Sequence, residues 1–249
     1  MISRNCKSLR ITATLEAVAA AALILAGQTA GAQSLSVLPV NVFMQPGQKA
    51  ATLSVTNSGE KPTSIQVRAY DWGQENNEDQ LTPSNIVVAS PPLATIAPGA
   101  AQVVRLILRQ PPQDREATYR IVLDQIPGPS EPGVVQMVLR LSIPVFAMPA
   151  SKAALKVQFH LERDGGKLFL VGVNSGLSHE SIRHIVVTAA DGHKMSATAG
   201  VSPYILAGVT RRWELDAQGY APQPGESLKL TADGIAGAIH EQIGVSPAP

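Results

Sequence analysis

The sequence is short of several things, and each shortage removes a class of explanation. Only one cysteine, Cys6, occurs in 249 residues, so no disulfide framework is available and stability must come from packed cores. Aromatic residues make up 4% of the chain, too few for the exposed ring cluster a carbohydrate-binding surface would use. Charge is balanced at 20 basic against 19 acidic residues, and without a basic surplus bulk nucleic-acid binding is not expected. The longest apolar run, 17–27, falls short of the roughly 20 residues that span a bilayer.

Catalytic signatures are missing too. There is no HExxH, no P-loop and no GxGxxG fingerprint, so neither a metal site, nor an ATP-driven cycle, nor a dinucleotide cofactor is expected. The five histidines, His160, His179, His184, His193 and His240, show no metal-ligand spacing. Ser178-His179-Glu180-Ser181 carries the letters of a serine hydrolase without a nucleophile elbow and reads as a surface turn. Asp71, Glu75, Glu78 and Asp79 suggest an acidic hairpin without a calcium-loop spacing, a solvated loop. The chain is therefore read as not an enzyme and as needing no cofactor or metal.

What is present begins with an export signal. Arg4, Lys7 and Arg10 precede the apolar run, and Ala30-Gly31-Ala32 supplies small residues where a signal peptidase reads. Cleavage is expected after Ala32, and no cysteine follows the run to carry a lipid. The mature chain, with 17 basic and 18 acidic residues, is expected to be exported and not inserted in a membrane. Its length of about 217 residues suits two cores.

From residue 35 onward, short runs rich in Val, Ile, Leu and Thr alternate with Pro, Gly and Asn turns. Strands are expected at 35–44, 51–56, 63–72, 86–89, 102–108, 118–126 and 134–146, a pattern of immunoglobulin-sandwich type. The turns are Pro46-Gly47, Asn57-Ser58-Gly59, Pro98-Gly99 and Pro127-Gly128-Pro129. Phe146–Ala150 reads as an elbow, dividing a first domain, 33–149, from a second, 150–249, with strands at 155–161, 167–173, 182–189, 200–206, 210–215 and 226–231. No helix is expected beyond one or two turns at 235–242. Leu53-Ser54-Val55-Thr56-Asn57-Ser58-Gly59 is echoed by Val171-Gly172-Val173-Asn174-Ser175-Gly176. Two related sandwiches would produce this echo, and so would a turn solution common to both. Trp72 is a candidate for the tryptophan buried in such sandwiches, and Tyr119 for a tyrosine corner.

The stretch 134–146 is the most informative. Val135, Met137, Leu139, Leu141 and Ile143 alternate with Gln136, Val138, Arg140, Ser142 and Pro144, so five apolar side chains share one face. Pro144 cannot donate a ladder hydrogen bond and suits an edge. A long apolar edge strand is a liability unless another chain is meant to pair with it. Two roles are open to that face: pairing with a partner, or packing on its own domain's core.

Taken in order, Gly47-Gln48-Lys49, Leu53–Asn57, Ala89-Ser90-Pro91-Pro92, Ile96-Ala97-Pro98-Gly99, Val104-Arg105-Leu106, Asp114-Arg115-Glu116, Ile126-Pro127 and Ile143-Pro144-Val145-Phe146 resemble the PapD-like periplasmic pilus chaperones. The second domain matches more loosely, through Asn174-Ser175-Gly176 and 206–213. The resemblance implies an all-β protein of two immunoglobulin-like sandwiches, a boomerang with a cleft between them. It implies an ATP-independent periplasmic chaperone that lends its last first-domain strand to pilus (fimbrial) subunits and passes them to an outer-membrane usher. Val135, Met137 and Leu139 would insert into the subunit, and Ser90-Pro91-Pro92 matches a loop with a cis proline.

Two departures stand out. The arginine and lysine that anchor the subunit's C-terminal carboxylate in well-known members fall at Asn41 (or Val40) and Pro144 here. Neither supplies a charge, which makes Arg120 first, then Arg140, the candidate anchors and places the chain with the archaic branch of the family. Glu116 matches an acid of a domain-linking salt bridge whose arginine partner is replaced by Met148, so Glu116 is expected to pair with Arg115 or solvent. The competing reading is an exported structural or carbohydrate-binding two-sandwich protein; a zinc hydrolase is more remote.

Overall fold

The computed structural model describes residues 35–129, 133, 137–151, 153–198, 202–223 and 225–245. All regular elements among them are strands. The first ten are β1 (Leu35–Leu38), β2 (Val42–Met44), β3 (Ala50–Asn57), β4 (Thr63–Glu75), β5 (Glu78–Pro83), β6 (Val87–Ser90), β7 (Leu93–Ile96), β8 (Ala101–Leu108), β9 (Ala117–Ile126) and β10 (Arg140–Ala147). One sheet runs β1-β3-β8-β6, and the facing sheet β2-β10-β9-β4-β5 with β7 also on β4. Alternation explains the core between them: Leu53 and Val55, Ile65 and Val67, Val104 and Leu106, Ile121 and Leu123, and Ile143 and Val145 all turn inward.

Two of the crossings between the sheets of this domain fall at an X–Pro step. The sequence suggested one strand over 35–44. Instead, the chain turns at Leu38-Pro39, so β1 pairs with β3 while β2 runs parallel to β10. At Ser90-Pro91 it passes from β6 in one sheet to β7 in the other, with the Pro92 carbonyl accepting from Val67 N–H at 2.8 Å. Both X–Pro bonds are cis.

The second domain contains β11 (Val157–Asp164), β12 (Lys167–Asn174), β13 (Glu180–Ser181), β14 (Arg183–Thr188), β15 (Lys194–Ala197), β16 (Tyr204–Ile205), β17 (Thr210–Asp216), β18 (Ser227–Gly234) and β19 (Gly237–Gly244). Seven of them form one sheet, β11-β12-β17-β15-β14-β18-β19, around Leu161, Leu170, Val187, Met195, Trp213, Leu215, Leu228 and Leu230. A parallel bridge from Leu161 to Val245 brings the two ends of that sheet together. The protein is thus all-β, with two immunoglobulin-like sandwich domains. The helical turns allowed for at 235–242 are absent: β18 and β19 form a hairpin there. Only Ile239 and Ile243 of β19 turn inward, too sparse a pattern to reveal a strand. Of the expected strand at 200–206, Tyr204–Ile205 is formed, and 200–201 lie outside the described residues.

The Asn-Ser-Gly echo is structural. Asn57 and Asn174 are each 1% exposed. Asn57 Nδ2 donates to Lys61 O and Ile96 O at 2.8 and 3.0 Å, and its Oδ1 accepts from Gly59 N–H at 2.9 Å. Asn174 makes the same three bonds at the same distances, to Ser178 O, Ile205 O and Gly176 N–H. The backbone around each matches as well: Gly99 and Ala100 bracket Asn57 as Gly208 and Val209 bracket Asn174. Gly99 and Gly208 take positive φ, +70° and +78°, a conformation that favours glycine.

Candidate functional site

Three features meet where the domains join: an open strand edge, a buried aromatic contact and a group of charges. The edge belongs to β10. Its residues pair antiparallel with β9 along the whole strand, from Arg140 opposite Asp124 to Ala147 opposite Ala117. On the other side β2 covers only Val145–Ala147. Among the described residues nothing pairs with the other side of 140–144, which present an uncovered edge. Met148 N–H donates to Met44 O, and Gln125 N–H donates to Leu139 O. By alternation the N–H groups of Arg140 and Ser142 point to the uncovered side. Pro144, which has no N–H, stands where β2 begins.

The expected strand 134–146 thus divides. Leu141 and Ile143 pack in the first domain's own core, Ile143 at 4% exposure; for these two residues the face is domestic. Met137, Val138 and Leu139 precede β10 outside any strand and are 84%, 51% and 38% exposed. Val135 lies outside the described residues. The ladder stops because β9 runs into Pro127-Gly128-Pro129, whose prolines have no N–H to donate.

The outward face of β10, β9 and β4 leads to the second domain. Trp72 is buried, but not in the sandwich core. It joins Phe146 from the first domain and Tyr204 and Leu206 from the second in a separate cluster between the domains. Its ring meets Tyr204 edge-on at 5.3 Å, a favoured aromatic geometry. Tyr119 is a core residue, and no tyrosine-corner bond forms among the described residues. Burial and the nearby Asp71 carboxylate push its phenol up to about 12.

Glu116 does not pair with Arg115 or solvent. It is 5% exposed and accepts from both the backbone N–H of His179 at 3.2 Å and its Nδ1 at 2.7 Å. The His179 ring lies flat on Phe146, 3.5 Å between centroids and 4° between planes. His179, read from sequence as a surface turn, is thus a buried link between the domains. The acidic hairpin is likewise docked rather than free. Asn76 and Asn77 turn it with positive φ, as a two-residue hairpin turn of the primed type requires. Asn77 Nδ2 donates to Arg212 O and its Oδ1 accepts from Arg212 N–H. Gln74 does the same for Tyr204 O and Leu206 N–H. Two side-chain amides here imitate strand pairing across the domain boundary.

The two candidate anchors part company. Arg120 lies opposite Pro144 in register, with 11% of its side chain exposed. Its guanidinium sits 3.7 Å over the Trp72 ring and 5.4 Å from Tyr204. Burial lowers its pKa, partly offset by Asp79. Arg140 stands four residues along β10, roughly 13 Å away at strand spacing, 70% exposed and paired with Asp124. Burial alone would raise the Asp124 carboxyl, but hydrogen bonds from Arg140 and Arg68 hold it below the usual carboxylate range. Asn41, at the position of the missing first-strand arginine, accepts from the Tyr204 hydroxyl at 3.4 Å. Sequence reasoning missed His179, Tyr204 and the docking role of Gln74 and Asn77, because each acquires its role from a contact across the domain boundary.

Residues 34–153 match the family described as pili and flagellar-assembly chaperone, PapD N-terminal domain. That match takes in all ten strands of the first domain, β1 to β10. Over 109 residues the chain is 31% identical to the chaperone protein PapD of Escherichia coli, covering 42% of this chain and 44% of that protein. It is 29% identical to the chaperone protein LpfB of Salmonella typhimurium, over 53% of this chain and 58% of that one. The chain spans about half the length of the curated relatives it matches. Among solved structures, the CsuC–CsuE chaperone–tip adhesion subunit complex, from archaic chaperone-usher Csu pili of Acinetobacter baumannii, aligns with TM-score 0.64 at 19% identity. That alignment covers 86% of this chain and 98% of that one. The Salmonella enterica complex of SafA pilin with the SafB chaperone aligns at 0.61 and 16%, over 85% and 97%. At these identities the structural likeness speaks for the fold, and it extends over both domains.

Proposed function

We propose that the protein is an ATP-independent chaperone of the periplasm that caps and folds pilus subunits by lending them the edge of β10, then hands them to an outer-membrane usher. Residues 1–32 act as a removable signal, and 33–149 and 150–249 are the working domains. The single observation that carries this reading is the uncovered edge at 140–144 continued by exposed Met137, Val138 and Leu139. An incomplete sandwich can complete its sheet on such an edge, the mode of recognition called strand addition. Each of Met137 and Leu139, once buried in a subunit, would contribute about 1.5–3 kcal/mol gross, less the cost of ordering this segment. No nucleotide is needed, because the subunit's own folding supplies the driving force.

Arg120 is the favoured anchor for a subunit's terminal carboxylate, since it flanks the blind end of the open edge; Arg140 lies at the opposite end. The absence of cations at Asn41 and Pro144 favours the archaic branch. Purifying the mature protein from its native periplasm, with sizing and mass spectrometry of what co-elutes, tests the proposal. A one-to-one complex with a small exported β-sandwich protein is expected. A lone protein, where pilus subunits are shown to be expressed, would contradict it and favour a structural or carbohydrate-binding role.

A further inference from the structure

The mature chain offers an oxidant very little. Once residues 1–32 are removed, as proposed above, it holds no cysteine, and four methionines remain: Met44, Met137, Met148 and Met195. Met44 and Met195 are fully buried, both tryptophans nearly so, and Met148 is half-buried. Met137 is 84% exposed. The local backbone explains the contrast. Gln125 holds Leu139 twice, its backbone N–H donating to Leu139 O at 2.9 Å and its Oε1 accepting from Leu139 N–H at 3.2 Å. β9 ends one residue farther on, at Ile126, so its ladder does not extend to Met137. In an extended chain Met137 and Leu139 share a face, the face that a subunit would cover.

Resting on the reading that this segment is lent to a subunit, we propose that Met137 is an oxidation site that switches capture off in the empty protein. The oxidant is a hydroperoxide. A sulfur lone pair attacks one peroxide oxygen; the S–O bond forms and the O–O bond breaks. With hydrogen peroxide, the departing hydroxide takes the proton of the transferred oxygen and leaves as water. Sulfur is oxidised by two electrons and the peroxide is reduced by two. The sulfoxide turns a flexible apolar side chain into a polar one. To enter a subunit's apolar core it must give up its water without gaining a hydrogen-bond donor. Exposure makes Met137 the first methionine to react, and a captured subunit covers it. Oxidation therefore silences idle chaperone and spares loaded chaperone. Methionine sulfoxide reductases reverse the change, so the switch resets.

The test uses the mature two-domain protein, hydrogen peroxide and the β-sandwich subunit that co-purifies with the protein. Peptide mass mapping of the protein alone is expected to show Met137 oxidised at least about tenfold faster than Met44, Met148 or Met195. Protein oxidised at Met137 is expected to capture the subunit about tenfold or more weakly, and reductase treatment to restore capture. Met137→Leu is read as a ratio: its peroxide-treated and untreated forms are expected to capture alike. Met137→Gln, polar without any oxidant, is expected to capture weakly throughout. Met137 oxidising no faster than the other three, capture undiminished by its oxidation, or Met137→Leu still silenced by peroxide would each overturn the switch and leave strand lending intact. In the preformed complex Met137 is expected to be shielded. Oxidation there as fast as in the protein alone, or no subunit co-purifying, would contradict strand lending by this segment, and this inference with it.

Discussion

The two domains share a corner and differ at their edges. Asn57 and Asn174 are buried to the same degree and make matching side-chain bonds, so one structural solution is used twice. The first corner continues into exposed Ser58, Glu60 and Lys61. The second is a socket: Ser175 and Leu177 N–H groups donate to Lys156 O and Ala154 O of the segment leading into β11, and Leu177 O accepts from Glu116 N–H. A Cβ on Gly176 would lie 2.5 Å from backbone atoms of Ala154 and Lys156. The edges diverge as well. The second sheet draws its ends together through Leu161 and Val245, whereas the first leaves 140–144 open beside exposed apolar side chains. Proteins normally protect such an edge. One domain is thus built to be joined, and the other to hold it in place.

The sharpest way to break this comparison is at the edges. Leu139→Asp is expected to lower subunit capture at least about a hundredfold, because a charge would have to enter the subunit's core, with circular dichroism unchanged. Ile239→Asp on β19 is expected to lower stability and leave capture intact. Next comes the socket. His179→Ala leaves the Glu116 carboxylate buried without its imidazole partner and is expected to cost about 3 kcal/mol, measured by urea denaturation. Asn57→Ala and Asn174→Ala are each expected to cost about 2 kcal/mol through lost buried hydrogen bonds. Only Asn174→Ala should also uncouple the domains, giving two calorimetric transitions; the same splitting in both variants would contradict the division of roles. The smallest effect concerns the anchors. Arg120→Ala is expected to weaken capture about tenfold and Arg140→Ala less than about twofold, as suits an exposed pair. Equal losses would place the anchor elsewhere.

What was legible in the sequence was the local pattern. Apolar runs separated by proline and glycine turns located the strands that carry Leu53, Val55, Ile121, Leu123 and Ile143. The corner echo was visible in the letters, but only the matching hydrogen bonds show that it is one structure. Alternation did not tell which part of 134–146 faces outward. That depends on where β9 ends, at Pro127, and on how far β2 reaches along β10. The strand Lys194–Ala197 carries one buried apolar residue, Met195, and so gave no period to read. Hardest of all were the interdomain pairs. Glu116 and His179 are 63 positions apart, and Gln74 and Tyr204 are 130 apart. Nothing local to Glu116 distinguishes a surface acid from one that meets a buried histidine.

The most direct test is amide hydrogen exchange along β10, with and without a pilus subunit bound. Strand lending predicts that the Arg140 and Ser142 amides, which face the uncovered side, exchange freely in the isolated protein. They should become protected in the complex, while amides already bonded to β9 change little. A stable complex in which Arg140 and Ser142 stay unprotected would show that the subunit is held by some other surface.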